Sequence, residues 1–537
     1  MTEYFENFIN NLQGKTTKIY LILANIILVI FAIWFSNIGL LPFANVSDFL
    51  VFAGLGLLLA IYRPGWTFVL FIGSLALENI NLAPSVFGLS LRPYQFLGAI
   101  TIIALIMRLA AKRLPLPAGE FFPKFKWFDA LPIIFTIGGF LSSLVFGAGF
   151  KQAIVALSFV ALYFLTRIYI QSFDDLKRIL PFFLSSGFVV ALYGILQNIL
   201  FISGRNAFEA MPGRPNGTFS EPDWFGIFLV FVLAIIFSII YHFKNTKYEI
   251  RDTKYFLLVA SCWLLITIAF IALILTVSRS AWLGAVFVTI VFLKIMLTNA
   301  SFGLSNWDWK KFLYSLGGMA TVIIISIGSV YIFSLSRFQI GSRAASTGGL
   351  QKITIACQSE SVKTVPEKIN NIEELAEYGC RHINLEEIEQ EKNAGNIVQE
   401  IYRPDPNINI RADIYRKSWE QIKQHPVFGI GWGTISQILG TDERGAGLNA
   451  SNIFLETWLG SGLLGILSFA ILLIYIFIKV ALELLREKTE DKTIALFLML
   501  GFVAIIVPNL FNSGIFLGFV WVFLAIANGL INTKNNC

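Results

Sequence analysis

Charge is scarce in this chain. Asp, Glu, Lys and Arg make up 14% of 537 residues against 56% hydrophobic, with a mean hydropathy of +0.70. That ratio excludes a soluble fold and points to an integral membrane protein, whose ~30 Å hydrocarbon layer takes about 20 apolar residues per helix. Histidine is nearly absent, with three residues and no pair at metal spacing. The four cysteines, Cys262, Cys357, Cys380 and Cys537, include no CxxC, so a zinc site lacks its ligands and no metal or other cofactor is expected. The net charge of +7 and pI near 9.0 do not argue for nucleic acid, because the basic residues lie scattered at segment ends without an aromatic patch. A cleavable signal peptide is a poor fit: Glu3 and Glu6 precede an apolar run, Ile19 to Phe35, that is too long and lacks a small-x-small site. Internal repeats and low-complexity tracts are also missing.

Long apolar segments are what the chain has. Fourteen can be counted, at approximately 18–35, 46–62, 64–80, 92–110, 128–147, 150–171, 179–202, 222–241, 255–277, 280–298, 311–336, 450–479, 493–509 and 511–531. Each reads as helix, since an open sheet edge in lipid would leave backbone groups unsatisfied. Segments two and three, split at Pro64, are short enough to form one hairpin that does not fully cross. The fold expected is an all-α polytopic membrane protein of about 12–14 transmembrane helices with one large, partly helical extracytoplasmic loop.

Orientation follows from Lys and Arg in the short loops. With the amino terminus inside, the inner loops carry Arg108, Lys112, Arg113, Lys124 and Lys126, then Lys244, Lys247, Arg251 and Lys254, then Lys310 and Lys311, then Lys479, Arg486, Lys488 and Lys492. The outer loops at 36–45, 81–91 and 508–513 carry none, and Arg92 and Lys151 sit singly at outer segment ends. An even helix count returns the carboxyl terminus to the cytosol. The same parity places outside the loop at 203–221, the turn at Ser278 to Ser280, and residues 337–449. The last stretch holds 13 Lys+Arg and 15 Asp+Glu, a composition shift marking a subdomain between membrane blocks at 1–336 and 450–537.

Within that loop Ala412, Tyr415, Trp419 and Ile422 recur at helical spacing, predicting an amphipathic helix over 410–424 that ends at Pro426. Asn384 followed by Glu387 reads as a capping box, and Pro366 suits the first turn of a helix carrying Ile369, Ile372 and Leu375. The loop is expected to be helical and to pack on the membrane surface. Cys357 and Cys380 lie in it, where a disulfide persists. A bridge closing that ~24-residue ring would contribute about 3 kcal/mol, and two free thiols are the alternative.

Four constellations could carry chemistry, and all fall on the outer side. In Pro212-Gly213-Arg214-Pro215-Asn216-Gly217-Thr218-Phe219-Ser220-Glu221, prolines and glycines fix a turn at a helix mouth and leave one guanidinium at the membrane surface. Arginine suits phosphate because its planar fork bonds two oxygens and stays charged, although an interfacial arginine also snorkels to headgroups. Thr276-Val277-Ser278-Arg279-Ser280-Ala281-Trp282-Leu283-Gly284 puts a second arginine in an almost loopless junction, which is a functional hypothesis by default. Its serines and Gly284 permit close helix approach. Arg411 and Trp419 lead into His425-Pro426-Val427-Phe428-Gly429-Ile430-Gly431-Trp432-Gly433. There the G-x-G-x-G spacing and the lack of a preceding strand exclude a nucleotide loop. A turn laying the chain back toward the bilayer is the better reading, with His425 a helix-end histidine. Last, Asn449-Ala450-Ser451-Asn452-Ile453-Phe454-Leu455-Glu456 opens the twelfth segment and sets Asn452 and Glu456 on one helical face. Glu456 serves there either as an acid or base, or as the partner of a nearby arginine.

Taken in order and on one side of the membrane, these motifs resemble those of the O-antigen ligase and O-antigen polymerase superfamily, over about residues 90–525. The resemblance implies a bacterial inner-membrane glycosyltransferase that takes glycan from undecaprenyl diphosphate at the periplasmic face without nucleotide or obligatory metal. It implies that Arg214 and Arg279 bind the donor diphosphate, supplying the positive charge a metal gives elsewhere, and that Arg411 matches the arginine opening the family's closing loop helix. One departure stands out. Ligases carry histidine before the asparagine of a His-Asn-x-x-Leu motif, thought to activate the acceptor hydroxyl, whereas Ser451 stands here and serine takes no proton at neutral pH. Glu456, Glu221 or His425 is then left as base, with Ser451, Asn452, His425 and Arg411 at the substrate, and the balance tips from ligase toward polymerase. The partners implied are the lipid-linked glycan, a glycan acceptor, membrane lipids, and chain-length regulator or flippase proteins. A bicarbonate-like solute transporter and a non-catalytic assembly subunit are the rival readings.

Overall fold

The computed structural model describes residues 15–112, 123–211, 213–245, 253–298, 308–336, 350–358, 365–370, 372–383, 388–404, 406–441, 447–485 and 489–532. The first block of helices is α1 Lys15–Asn37, α2 Val46–Tyr62, α3 Pro64–Ser74, α4 Pro93–Ala110, α5 Ala130–Phe146, α6 Phe150–Tyr169, α7 Phe173–Ile202, α8 Pro222–Asn245, α9 Thr253–Leu275, α10 Arg279–Thr298 and α11 Trp309–Ile332. The extramembranous part contains β1 Leu350–Cys357, β2 Cys380–Ile383, α12 Ile388–Asn393, β3 Ile397–Pro404, α13 Pro406–Gln424 and α14 Ile435–Leu439. The chain closes with α15 Ile453–Leu484, α16 Thr489–Asn509 and α17 Gly518–Asn532.

Among the described residues eleven helices are long and apolar enough to cross a bilayer, joined by shorter apolar helices at Val46–Tyr62, Pro64–Ser74 and Gly518–Ile531. The all-α polytopic architecture is therefore as the hydropathy requires. Local sequence sets the helix starts: Pro64 and Pro93 occupy first turns that need no N–H, and Ser172 and Asp175 form a reciprocal capping box at the head of α7.

Two membrane segments differ from expectation. The third ends as helix at Ser74, because α3, at ~16 Å, is too short to span. The chain beyond it runs as an irregular but buried segment whose backbone pairs elsewhere, Asn79 N–H donating to Thr218 O at 2.7 Å and Phe43 N–H to Leu82 O at 3.3 Å. The twelfth, α15, is broken at Gly462, with φ 64° and ψ −164°.

Contacts between helix ends sort the loops. At one end Arg108 donates to the carbonyls of Ile61 (2.9 Å) and Tyr62 (3.1 Å), and Phe173 meets His242 edge-on at 5.6 Å. The other end gathers 38–45, 75–92, 203–221, 276–278, 447–452 and 510–517 through the bonds described here and below. These contacts gather the named connections at two opposite ends of the bundle.

The large loop departs most from expectation. It holds a three-stranded antiparallel sheet ordered β2-β1-β3, with Leu350 opposite Pro404 so that the sheet unit enters and leaves at one point. Cys357 and Cys380 face each other in register and are bridged at 2.06 Å, which resolves the thiol alternative. Ile353, Ile355, Ile369, Leu375 and Ile401 form a core separate from that of the bundle. The helix expected at Pro366 begins later, as a 3₁₀ helix, Ile372–Tyr378, that carries Ile372 and Leu375; residues 367–369 instead pair with the outer edge of β3, Ile369 N–H donating to Tyr402 O at 2.9 Å and Tyr402 N–H to Glu367 O at 2.8 Å. An edge strand offers unpaired backbone groups, and that offer draws Ile369 out of the helix while Ile372 and Leu375 pack on the sheet core from the 3₁₀ turn. The Asn384–Glu387 capping box lies outside the described residues.

The amphipathic helix exists as α13, but its buried stripe is Ile414, Ser418 and Ile422. Ala412 is exposed, and Trp419, 47% exposed, turns toward Trp458 on α15 with ring centroids 6.2 Å apart. Ser418 is small enough for close approach at the buried face, a role no bulky apolar residue could take. Ile414 and Ile422 belong to the main core, so α13 packs on the bundle.

Candidate functional site

The loop at 203–221 is shaped from below by Gln197, an amide buried within apolar α7. Its Oε1 accepts from Gly217 N–H at 2.7 Å and its Nε2 donates to the carbonyls of Phe208 (3.1 Å) and Gly217 (3.2 Å). Asn216 Oδ1 accepts from Ala210 N–H at 3.0 Å, and Arg214 N–H closes the turn on Met211 O at 3.0 Å. So held, the Arg214 side chain reaches the end of α9. Its Nε donates to Thr276 O at 3.0 Å and one terminal nitrogen lies 3.5 Å from Asp223 Oδ2.

Thr276 opens the junction that carries Arg279. Val277 takes φ 52° to reverse the chain, and Ser278 Oγ accepts from Ala281 N–H at 3.4 Å as α10 begins. Arg279 is the first residue of α10 and is half-buried. At Gly226, in α8, an added Cβ would lie 2.6 Å from Ala281 Cβ. Glycine there lets the first turns of α8 and α10 touch, which brings two positive helix ends to the same place as the two arginines.

Hydrogen bonds continue the site from the junction to the extramembranous loop. Asn512 Nδ2 donates to Ser280 Oγ at 2.7 Å. Two residues before it, Leu510 O accepts from Asn452 Nδ2 at 2.9 Å. Asn452 Oδ1 in turn caps α15, accepting from Phe454 N–H (2.9 Å) and Leu455 N–H (3.1 Å). Ser451 sits at φ 49°, and its carbonyl accepts from Tyr415 O–H at 3.2 Å. Burial pushes the Tyr415 phenol up and the positive charge of Arg411 partly offsets that shift, which places Arg411 beside the same turn.

The remaining expected residues are less central. Glu456 is 7% exposed and accepts from Ala450 N–H at 2.6 Å, closing the turn that leads into α15. Glu221 is half-buried, and its carbonyl accepts from Phe225 N–H at 3.2 Å at the start of α8. His425 packs edge-on against Phe146 at 5.0 Å, ~21 Å along α13 from Arg411 at 1.5 Å per residue. The two arginine motifs and the Ser451–Asn452 turn are thus brought together, while His425 stands apart with α5.

The glycine-rich stretch after His425 does lay the chain back, by filling the break in α15. Ile430 N–H and Gly431 N–H donate to Leu459 O at 2.7 and 3.0 Å, and Leu463 N–H donates to Val427 O at 2.8 Å. Beside it, between α13 and α15, lies a groove of ≈ 880 Å³ whose lining includes Tyr415, Trp419, Asn452, Trp458, Ile466 and Ala470. It runs from the polar turn at Asn452 down the apolar flank of α15.

Sequence reasoning missed Gln197, Asn512 and Glu209. An amide inside a 30-residue apolar helix was a usable signal for Gln197. The other two are ordinary loop residues in sequence. Glu209 Oε2 accepts from Gly213 N–H at 2.9 Å, its Oε1 is buried without a partner among the described residues, and burial raises its pKa to about 7.

The family model described as O-antigen ligase matches residues 260–470, a span that includes Arg279, Arg411, His425, Ser451, Asn452 and Glu456 but not Arg214. No curated protein matches the sequence.

Proposed function

We propose that this chain, whose residues 260–470 match the O-antigen ligase family model, is a membrane glycan transferase of the ligase and polymerase type that moves saccharide from a polyprenyl diphosphate to a sugar hydroxyl, as a polysaccharide polymerase. In this reading Arg214 and Arg279 hold the diphosphate, and no metal is needed to take up its charge. The observation that carries it is the bond from Arg214 Nε to Thr276 O, which joins a loop outside the matched region to the turn three residues before Arg279. Charge developing on the leaving diphosphate would meet two guanidinium groups and two helix amino termini at a low-dielectric mouth, where such interactions are strongest.

The neighbouring groove supports a lipid-linked substrate. A polar head beside Asn452 and Tyr415 would continue into a chain lying along Trp458, Ile466 and Ala470. Ser451, where ligases carry histidine, favours polymerase over ligase. The periplasmic face of the bacterial inner membrane is the side on which this end belongs in the proposal. Transport gains no support from the family, and the break in α15 is filled by the Val427–Gly433 turn.

The test is Arg279→Ala in purified, detergent-solubilised protein given polyprenyl-linked repeat units. Chain growth should fall by roughly 10²–10³, as when one oxyanion contact is removed, with the unfolding temperature unchanged. Product ladders of normal length from the variant would refute the diphosphate clamp.

A further inference from the structure

Buried polar atoms almost always have hydrogen-bond partners, so those that lack one in a site mark places for a ligand. Two occur in the stretches that flank Arg214 and its partner Asp223. Glu209, which grips Gly213 N–H immediately before Arg214, keeps Oε1 buried and unpartnered among the described residues. Trp224, which follows the Arg214 partner Asp223 in the first turn of α8, keeps Nε1 in the same state. One is an acceptor and the other a donor. A sugar hydroxyl, which both donates and accepts, can meet either of them.

Resting on the transferase reading above, we infer that Glu209 is the catalytic base, taking the proton of the acceptor hydroxyl. As that oxygen attacks the anomeric carbon of the donor, its proton passes to Glu209 Oε1 and the new glycosidic bond forms. The bond from the anomeric carbon to the diphosphate oxygen breaks, and its electron pair leaves with the diphosphate between Arg214 and Arg279. Two other candidate bases, Glu456 and His425, are less suited. The carboxylate of Glu456 already closes the Ala450 turn, and His425 lies against Phe146.

The environment of Glu209 fits the task. Burial brings the carboxyl to about 7, held back only by the Gly213 N–H bond, and a base poised near the working pH is the most effective. Tyr193 of α7 is the titratable group that faces it, its phenol donating to Asn37 Oδ1 at 3.0 Å. Arg205 and Arg214 are the cations of its own loop.

Glu209→Gln keeps an acceptor for Gly213 N–H and cannot take a proton. Transfer should fall roughly 10²–10⁴-fold, while binding of the lipid diphosphate donor, read by quenching of tryptophan fluorescence, stays within about twofold. In the wild type kcat/KM should rise with pH through about 7, and the residual activity of Glu209→Gln should lack that limb. A variant with near wild-type transfer, or one that keeps the limb, overturns the assignment. If Glu209→Gln fails to fold, the wild-type profile decides, and a flat profile across about pH 5–9 overturns it. Failure of the wild type itself to transfer bound donor would sink the transferase reading instead, a result distinguishable from loss in the variant alone.

Discussion

Gly462→Ala should unseat the turn that fills α15, and the size of the effect follows from the backbone. At φ 64° and ψ −164° the residue occupies a region essentially restricted to glycine, so alanine adds about 1–3 kcal/mol of strain. Its Cβ would also lie 2.2 Å from Val427 O and 2.6 Å from Phe428 C, both backbone atoms that no rotamer change can move. The Val427–Gly433 turn must shift, and three hydrogen bonds hold it: Ile430 and Gly431 N–H to Leu459 O, and Leu463 N–H to Val427 O. At ~1 kcal/mol net per bond, losing one brings the total to about 2–4 kcal/mol, and losing all three brings it to about 4–6 kcal/mol. Thermal unfolding in detergent and protease cleavage between residues 425 and 434 are the readouts. Gly317→Ala is the control, since nothing lies within 4 Å of a Cβ there, and alanine in a helix interior should be neutral or stabilising by up to about 1 kcal/mol. Equal unfolding temperatures for the two variants, with the turn protected in both, would refute the claim that close backbone approach dictates glycine at 462.

Cys357→Ser removes the bridge between β1 and β2, which closes a ring of ~24 residues and contributes about 3 kcal/mol. Because the sheet has its own core, proteolysis within 350–404 should accelerate while the bundle unfolds at its wild-type temperature; a lowered bundle transition would show that the two cores are coupled. Arg214→Ala should lower activity and stability together, since its guanidinium bonds Thr276 O and faces Asp223. A loss of about 1–3 kcal/mol follows from leaving that buried carbonyl unmet, and unchanged unfolding in the variant would show that the contact contributes nothing to the fold.

Apolar runs were enough to locate the helices because a bilayer fixes helix length: of fourteen expected segments, eleven are long enough to span among the described residues and three are shorter apolar helices. The meeting of Arg214 with the Arg279 junction was legible in part: parity put both connections at one end of the bundle, and only their contact through Thr276 was hidden. The sheet was missed although Ile353, Ile355 and Cys357 alternate with Lys352, Thr354 and Ala356 at a period of two, the pattern of a half-buried strand. Helical spacing in α13 was found and its face misplaced. Counting apolar residues favoured Trp419 over Ser418, and close packing on α15 selected the smaller one. Glu209 carried no signal, because a loop acid reads alike whether its oxygens meet water or are shielded by a turn that Gln197 holds from below.

The two arginines, although close in the fold, are not equivalent electrostatically. Arg214 sits at the carboxyl end of α9, where a cation is favoured, and part of its charge is answered by Thr276 O and Asp223 before any ligand arrives. Arg279 is the first residue of α10, where the helix dipole already points its positive end, so charge and dipole add instead of cancelling. A cation at that position opposes the local preference by about 0.3–1 kcal/mol, and such conflicts persist where function uses them. An incoming anion reverses the sign of the conflict, because the same dipole and the same guanidinium then both attract it. The arrangement therefore divides the work. Arg214 fixes the turn from Thr276 to Ser278 in place, and in the proposed reaction Arg279 would add its charge to the amino-terminal dipole of α10.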